Sequence, residues 1–201
     1  WALSKQTRNM KKIITFLFII TTQISNSQNK QIANIEQYIN ENFTNNQNDK
    51  FTFRLYAVGS FSNQRQLLLI KKDINEKWSI RTVLFKESSE KKKFSIRNDR
   101  DILVERDWTE RLYLMLSSNR NLLLDQESVL NKLRSNNEGR KANWQVMDGT
   151  NYEIEIYFES ERHNINLNSP CGYLEEYPES NELKLFCAVI KLISDYEVLE
   201  V

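Results

Sequence analysis

Few residues of this chain could carry chemistry, and they cluster in its last third. His163 is the only histidine, so zinc sites built from two histidines are excluded, and His163 is left as a lone candidate general base. The alternative, which we favour, is a histidine at the end of a strand that packs its ring at the sheet margin. The sequence predicts no catalytic residue, no metal ligand and no cofactor-binding residue, and hence no cofactor.

An acidic row lies on the polar side of a strand near His163 and is formed by Glu153, Glu155 and Glu159. Two such carboxylates could act as a hydrolytic pair, or they could bind a divalent cation. Flexible glutamates at alternate strand positions do not converge as the loop-held oxygens of a cation site do. We therefore expect a solvated face that blunts edge pairing or meets a basic partner.

The two cysteines, Cys171 and Cys187, form an even pair. In an exported chain such a pair predicts a disulfide, and two reduced, buried thiols are the alternative. The bridge would close a loop that contains Tyr173 and Tyr177. We expect these two tyrosines to be exposed and to contribute to a contact surface together with the acidic row. Redox catalysis is disfavoured because there is no C-x-x-C pair.

Other patterns favour structure over chemistry. The four glycines are isolated, so no glycine-rich phosphate loop is present, and no serine lies in a G-x-S-x-G elbow. Alternating charges between positions 97 and 111 predict an ion-paired, solvated helix surface, made of Arg97, Asp99, Arg100, Asp101, Glu105, Arg106, Asp107, Glu110 and Arg111.

Hydrophobic periodicity divides the chain into elements that would position these residues. Apolar residues at helical spacing predict helices over 29–42, 101–118, 126–134 and 181–196. Alternation or short apolar runs predict strands over 51–57, 67–70, 78–84, 144–147, 152–158 and 163–167, with a weaker one at 94–96. The connections are too short for parallel crossovers, so neighbouring strands should be antiparallel.

These elements predict an α+β fold with two meanders of three to four strands each. We expect the helices to pack on one face of the antiparallel sheet, and the C-terminal helix to lie against it. The two meanders could also be a weak internal repeat, but a single domain over residues 28–201 is the simpler arrangement.

The segment 10–27 has the pattern of a signal peptide. Lys11 and Lys12 precede an apolar run, and Ser25 and Ser27 provide small side chains before Gln28. The alternative is a membrane anchor, but a spanning helix needs roughly 20 apolar residues and this run is shorter. Residues 1–9 fit no part of this pattern, and we expect them to be non-native or the result of a wrongly assigned start.

The net charge of the chain restricts the class of macromolecule that the protein can bind. The first 27 residues carry four basic side chains and no acidic one, so the net charge falls from +1 for the whole chain to −3 for residues 28–201. A slightly acidic domain lacks the basic surface of a nucleic-acid binder. We expect a protein that is exported to the periplasm or the extracellular space, with no stable membrane anchor after signal cleavage.

The absence of a catalytic constellation favours a non-enzymatic domain that binds a macromolecule, such as an inhibitor, an immunity-type protein or an envelope-associated protein. The alternatives are a carboxylate-dependent hydrolase and a carrier of a small apolar ligand. An enzyme would need a pocket that joins His163 to a carboxylate, and a carrier would need a cavity behind the aromatic strands.

Overall fold

The computed structural model describes residues 31–32, 34–43, 48–59, 62–88, 93–103, 106–136, 149–159 and 161–196. Its strands are β1 (Gln31–Ile32), β2 (Asp49–Gly59), β3 (Gln64–Asp73), β4 (Trp78–Glu87), β5 (Phe94–Asp101), β6 (Thr150–Phe158) and β7 (Glu161–Asn168). Its helices are α1 (Ile35–Asn42), α2 (Arg106–Ser117), α3 (Gln126–Asn136), α4 (Pro170–Glu176) and α5 (Asn181–Ser194), with a short 3₁₀ helix at Arg120–Leu122. None of these helices combines the length and the apolar character that crossing a bilayer requires.

All described strands belong to one antiparallel sheet, in the order β1-β5-β4-β3-β2-β6-β7. Strands β2 to β5 form the predicted first meander, and the β6–β7 hairpin joins it along the free side of β2. The predicted α+β class is therefore confirmed, and the two meanders share one sheet. The strand predicted at 144–147 lies outside the described residues, as do the signal segment 10–27 and residues 1–9.

The main core lies on the sheet face that we call the first face. Phe51, Phe53 and Leu55 alternate along β2 and have no exposed surface. Helices α2 and α5 cover this face, and the buried Trp108 of α2 donates a hydrogen bond from Nε1 to the backbone oxygen of Leu192 at 3.0 Å. The C-terminal helix thus packs against the sheet, as its wide apolar stripe predicts.

Helix α1 covers only part of the opposite, second face. Its side chains Tyr38 and Ile39 pack on Leu67, Leu69 and Phe85 of β3 and β4. Because Leu68 and Ile70 point into the main core, the apolar run of β3 is buried on both faces, as predicted. The part of the second face formed by β2, β6 and β7 carries polar side chains instead.

Two predicted helices begin later than periodicity alone suggests. Residues 94–101 form an eight-residue strand. The prediction of a helix surface is therefore wrong for four of its residues, which lie in β5: Arg97, Asp99, Arg100 and Asp101. Pairing with β4 determines this segment, since Arg81 holds Asp99 through two hydrogen bonds of 2.7 and 2.8 Å. Helix α1 begins at Ile35, where Asn34 caps it by accepting from the backbone nitrogens of Glu36 and Gln37.

Candidate functional site

The predicted disulfide is present. Cys171 of α4 and Cys187 of α5 are joined, with their Cα atoms 4.9 Å apart. The bond fastens the loop that leaves β7 to the middle of the C-terminal helix. Its position is structural, because the Cys187 side chain is buried in the helix face that packs on the rest of the fold.

Tyr173 and Tyr177 do not form a contact surface. Their exposed fractions are 9% and 1%, and they pack with Val129, Leu130 and Leu183 in a third cluster. The prediction that they are exposed is wrong because residues 170–176 fold into helix α4, which turns both rings toward α3 and α5. Burial raises the pKa of the Tyr177 hydroxyl, and the neighbouring Glu176 adds to the effect.

The acidic row is divided by the structure. Glu153 and Glu155 lie on the second face of β6, with Glu153 exposed and Glu155 half-buried. Glu159 lies beyond the end of the strand, exposed and in a left-handed backbone conformation with φ of 53°. The first two therefore share a surface, and the third does not take part in it.

The surface that carries Glu153 and Glu155 is part of the floor of an open groove of about 670 Å³. Helix α1 forms one wall of this groove through Asn34, Glu36 and Asn40. The floor is the polar part of the second face, where cross-strand register aligns side chains in rows. One row contains Arg54, Glu155 and Asn164, and the next contains Tyr56, Glu153 and Asn166.

Glu155 lies between two arginines. Arg162 Nη2 donates a hydrogen bond of 2.9 Å to Glu155 Oε1, and Arg54 Nη1 lies 2.8 Å from Glu155 Oε2. The second contact is an ion pair without hydrogen-bond alignment. Among the described residues, the buried atoms Arg54 Nε and Glu155 Oε2 have no hydrogen-bond partner. In this arginine–glutamate cluster (Arg54, Glu155 and Arg162), the ion pair with Arg54 Nη1 satisfies Glu155 Oε2, and Arg54 Nε remains a buried donor without a partner.

Other contacts hold the arginines of the groove in place. Arg54 Nη2 donates to the backbone oxygen of Phe43 at 3.3 Å, directly after α1. Arg162 Nε donates to Asn164 Oδ1 at 3.1 Å, and its guanidinium stacks over the ring of Tyr157. These contacts therefore hold both arginines of the groove floor in one arrangement.

His163 is on the other side of the sheet from the groove. It pairs in register with Ile156, whose side chain is in the main core. Its ring packs edge-on against Phe158, and its Nε2 atom lies 2.9 Å from Oε1 of Glu161. The histidine thus meets a carboxylate at the sheet margin, but it does not approach Glu153 or Glu155.

A second charged cluster, which the sequence analysis missed, lies at the edge of the first face. The Lys72 ammonium is 3.1 Å from Glu110 of α2 and 2.6 Å from Glu76, and it lies over the rings of Trp78 and Tyr113. Burial of Lys72 works to lower its pKa, but hydrogen bonds to Glu76 and Glu110 outweigh burial, and the pKa is raised. The lysine stays charged and joins α2 to the β3–β4 hairpin. The sequence feature that indicates this cluster is the position of Lys72, which continues the inward-facing alternation of Leu68 and Ile70.

No family model matches the chain, and no curated protein is similar to it. Within the described part of the chain, no group of three or more His, Cys, Asp or Glu side chains is arranged to hold a metal ion.

Proposed function

We propose that this protein is an exported, non-enzymatic domain that binds a macromolecule in the groove between α1 and the β6–β7 hairpin. The observation that carries the proposal is the arginine–glutamate cluster. A buried donor without a partner costs about 1–3 kcal/mol, so Arg54 Nε works against folding. Groups that oppose stability while lining a concave surface are typical of binding sites.

The rigidity of the groove floor supports binding. Its side chains project from the paired strands β2, β6 and β7, and their ion pairs fix them in one arrangement. A ligand that meets ordered groups loses less conformational entropy when it binds.

Export is supported by the signal pattern of residues 10–27 and by the Cys171–Cys187 disulfide. Disulfides persist mainly in oxidising compartments. The intact mass of the protein from its native source tests this part of the proposal. A chain that begins near Gln28 supports export, and a chain that retains residues 10–27 contradicts it.

Binding accounts for the groove better than hydrolysis does. A hydrolytic carboxylate pair needs one member that holds a proton to donate. Both oxygens of Glu155 contact guanidinium groups instead, so neither is left to reach a bond of a substrate. His163 lies on the opposite face and cannot supply the proton to this site.

An apolar carrier is also less well supported. The inward aromatic rings pack on one another, since the ring centroid of Phe51 is 5.2 Å from that of Tyr113 and 5.3 Å from that of Phe158. These rings fill the space behind the strands, where an apolar ligand would have to lie.

A tryptophan placed in the groove tests the proposal. Asn164 is exposed on β7 and lines the groove, so Asn164→Trp should fill it. Ser79→Trp is the matched control, because Ser79 is an exposed strand residue outside the groove lining. The immobilised wild-type protein and both variants are exposed to exported material from the native source. We expect wild type and Ser79→Trp to retain a macromolecule that Asn164→Trp loses. Equal retention by all three proteins would contradict the proposal.

A further inference from the structure

The net charge of the groove lining restricts the charge of the ligand that it can bind. The lining contains three arginines, Arg54, Arg65 and Arg162, and three glutamates, Glu36, Glu153 and Glu155. Their charges cancel, and every arginine contacts a carboxylate, since Arg65 donates to Glu87 at 2.9 Å. A polyanion binds where positive charge is in excess. The groove therefore suits an uncharged ligand.

The exposed polar groups match a ligand that both donates and accepts hydrogen bonds. The side-chain amide of Asn166 can do both, and the exposed carboxylate of Glu153 accepts. The side-chain nitrogens of Asn34 and Asn164 can donate, while their oxygens already accept from the α1 backbone and from Arg162. On the floor, these groups are spaced about 4.8 Å apart across the strands and roughly 6.7 Å along them. A hydroxyl group is likewise donor and acceptor at once.

We propose that the ligand of the groove is a neutral glycan, whose hydroxyl groups bond to the asparagine amides and to Glu153. This inference rests on the proposed binding function and adds the class of ligand. Hydroxyl groups at regular intervals along an extended sugar chain meet the rows of polar side chains on β6 and β7. A neutral ligand leaves the ion pairs of the site in place, so binding does not leave a charged group without its partner.

A peptide fits the surface less well. Peptides add to a free sheet edge, lay an apolar helix face into an apolar groove, or bring phosphates to surplus arginines. On the edge strand β7, Asp125 accepts from the backbone nitrogen of Asn166 at 3.0 Å. Gln126 bonds to both backbone groups of Asn168 at 2.9 and 3.1 Å. The groove is polar and its arginines are neutralised, so none of the three modes is favoured.

The test uses ¹H–¹⁵N NMR titration of the protein with defined probes. The neutral probes are cellohexaose, maltohexaose, mannohexaose and chitohexaose, and the anionic counterpart is hexagalacturonate. A polar, uncharged peptide of glycine, serine and asparagine represents the other class of macromolecule. We expect at least one neutral hexasaccharide to shift the side-chain amide signal of Asn166, which is present in wild type and in every variant used below.

Variants of the protein test whether the signal shifts arise from binding in the groove. The shifts should persist in Ser79→Trp and vanish in Asn164→Trp. Asn164→Ala, which keeps the groove open, should weaken binding by about 3–10-fold through loss of one amide. The proposal is overturned if no neutral hexasaccharide gives a shift that Asn164→Trp abolishes, or if only hexagalacturonate or the peptide does so. Groove-dependent retention of native material in that case would leave the binding function standing and reject only the glycan.

Discussion

At the residue scale, Glu155 determines the electrostatics of the groove. Its side chain keeps 26% of its surface exposed, and that of Arg54 keeps 14%. The half-buried carboxylate lies between two guanidinium groups and offsets the repulsion between their positive charges. This repulsion is stronger in a medium of reduced dielectric constant than in water. The free energy of unfolding should therefore fall more when one charged residue of the cluster is replaced than when an arginine and a glutamate are replaced together.

We expect Glu155→Gln to lower the free energy of unfolding by about 1–3 kcal/mol, because the Arg54 guanidinium is left with an uncompensated charge. The double variant Arg54→Met/Glu155→Gln should lose less than the single one, since the unpaired charge is removed with its partner. Urea unfolding followed by circular dichroism measures both. Glu153→Gln, at an exposed position on the same strand face, should stay within about 0.5 kcal/mol of wild type. A double variant less stable than Glu155→Gln would contradict this account.

The sequence predicts only part of this site. A period of two places Glu153 and Glu155 on one strand face, and the structure agrees. Their partner Arg54 could not be inferred, because the pairing of β6 with β2 joins strands that are distant in the chain. Which strand lies beside which is a property of the whole sheet and leaves no local pattern in the sequence.

At the scale of elements, helices α4 and α5 act as a clamped pair. Ser180 caps α5 by accepting from the backbone nitrogen of Leu183 at 3.2 Å, and the disulfide fixes α4 to the helix interior. The sequence does not indicate helix α4, because this helix is seven residues long and contains Gly172 and an initial Pro170. Its helical form depends on the bridge and on the packing of its tyrosines more than on intrinsic propensity.

Removal of the bridge should weaken this clamp without unfolding the protein. The cysteines are 16 positions apart, and a loop of about that length contributes roughly 3 kcal/mol in the chain-entropy model. We expect Cys171→Ala/Cys187→Ala to lower the free energy of unfolding by that amount, while α5 stays packed through its apolar stripe. Urea unfolding checks this, and reduction of wild type provides the control because it should reproduce the loss. Unchanged stability in both cases would contradict the role assigned to the bridge.

At the scale of the whole molecule, an antiparallel sheet is covered fully on one face and partly on the other. The first-face core joins β2, β3, β4, β6 and β7 to α2 and α5, whereas the second-face core joins β1, β3, β4 and β5 to α1. Among the described strands, β2, β6 and β7 leave a polar part of the second face beside α1, so the groove is a consequence of the shortness of α1. Periodicity predicts both cores from individual strands, but the extent to which α1 covers the sheet depends on where that helix begins and docks.

The charged cluster around Glu76 ties distant parts of the molecule together and should make stability depend on pH. Hydrogen bonds from Lys50 and Lys72 lower the pKa of Glu76 from its ordinary 4.5 to about 2. Because the pKa is lower in the folded state than in the unfolded state, the stabilisation is fully present above pH 4.5 and is lost as pH falls toward about 2. Lys72 also contacts Glu110 of α2, so the same lysine connects the Glu76 ion pair to the attachment of α2.

We therefore expect the stability of wild type to fall more steeply than that of Glu76→Gln as pH decreases from 4.5 to about 2. Above pH 4.5 wild type should be the more stable of the two, and the difference should shrink toward the acid end. Glutamine keeps the size of the side chain at this turn, where the φ of Glu76 is 61°, so the comparison isolates the charge. Urea unfolding at a series of pH values gives the two curves, and Glu153→Gln, which removes an exposed carboxylate elsewhere, should run parallel to wild type. If the Glu76→Gln curve also runs parallel to wild type, the cluster does not couple stability to pH, and the attachment of α2 rests on the Lys72–Glu110 contact and on the packing of Trp108 and Leu112.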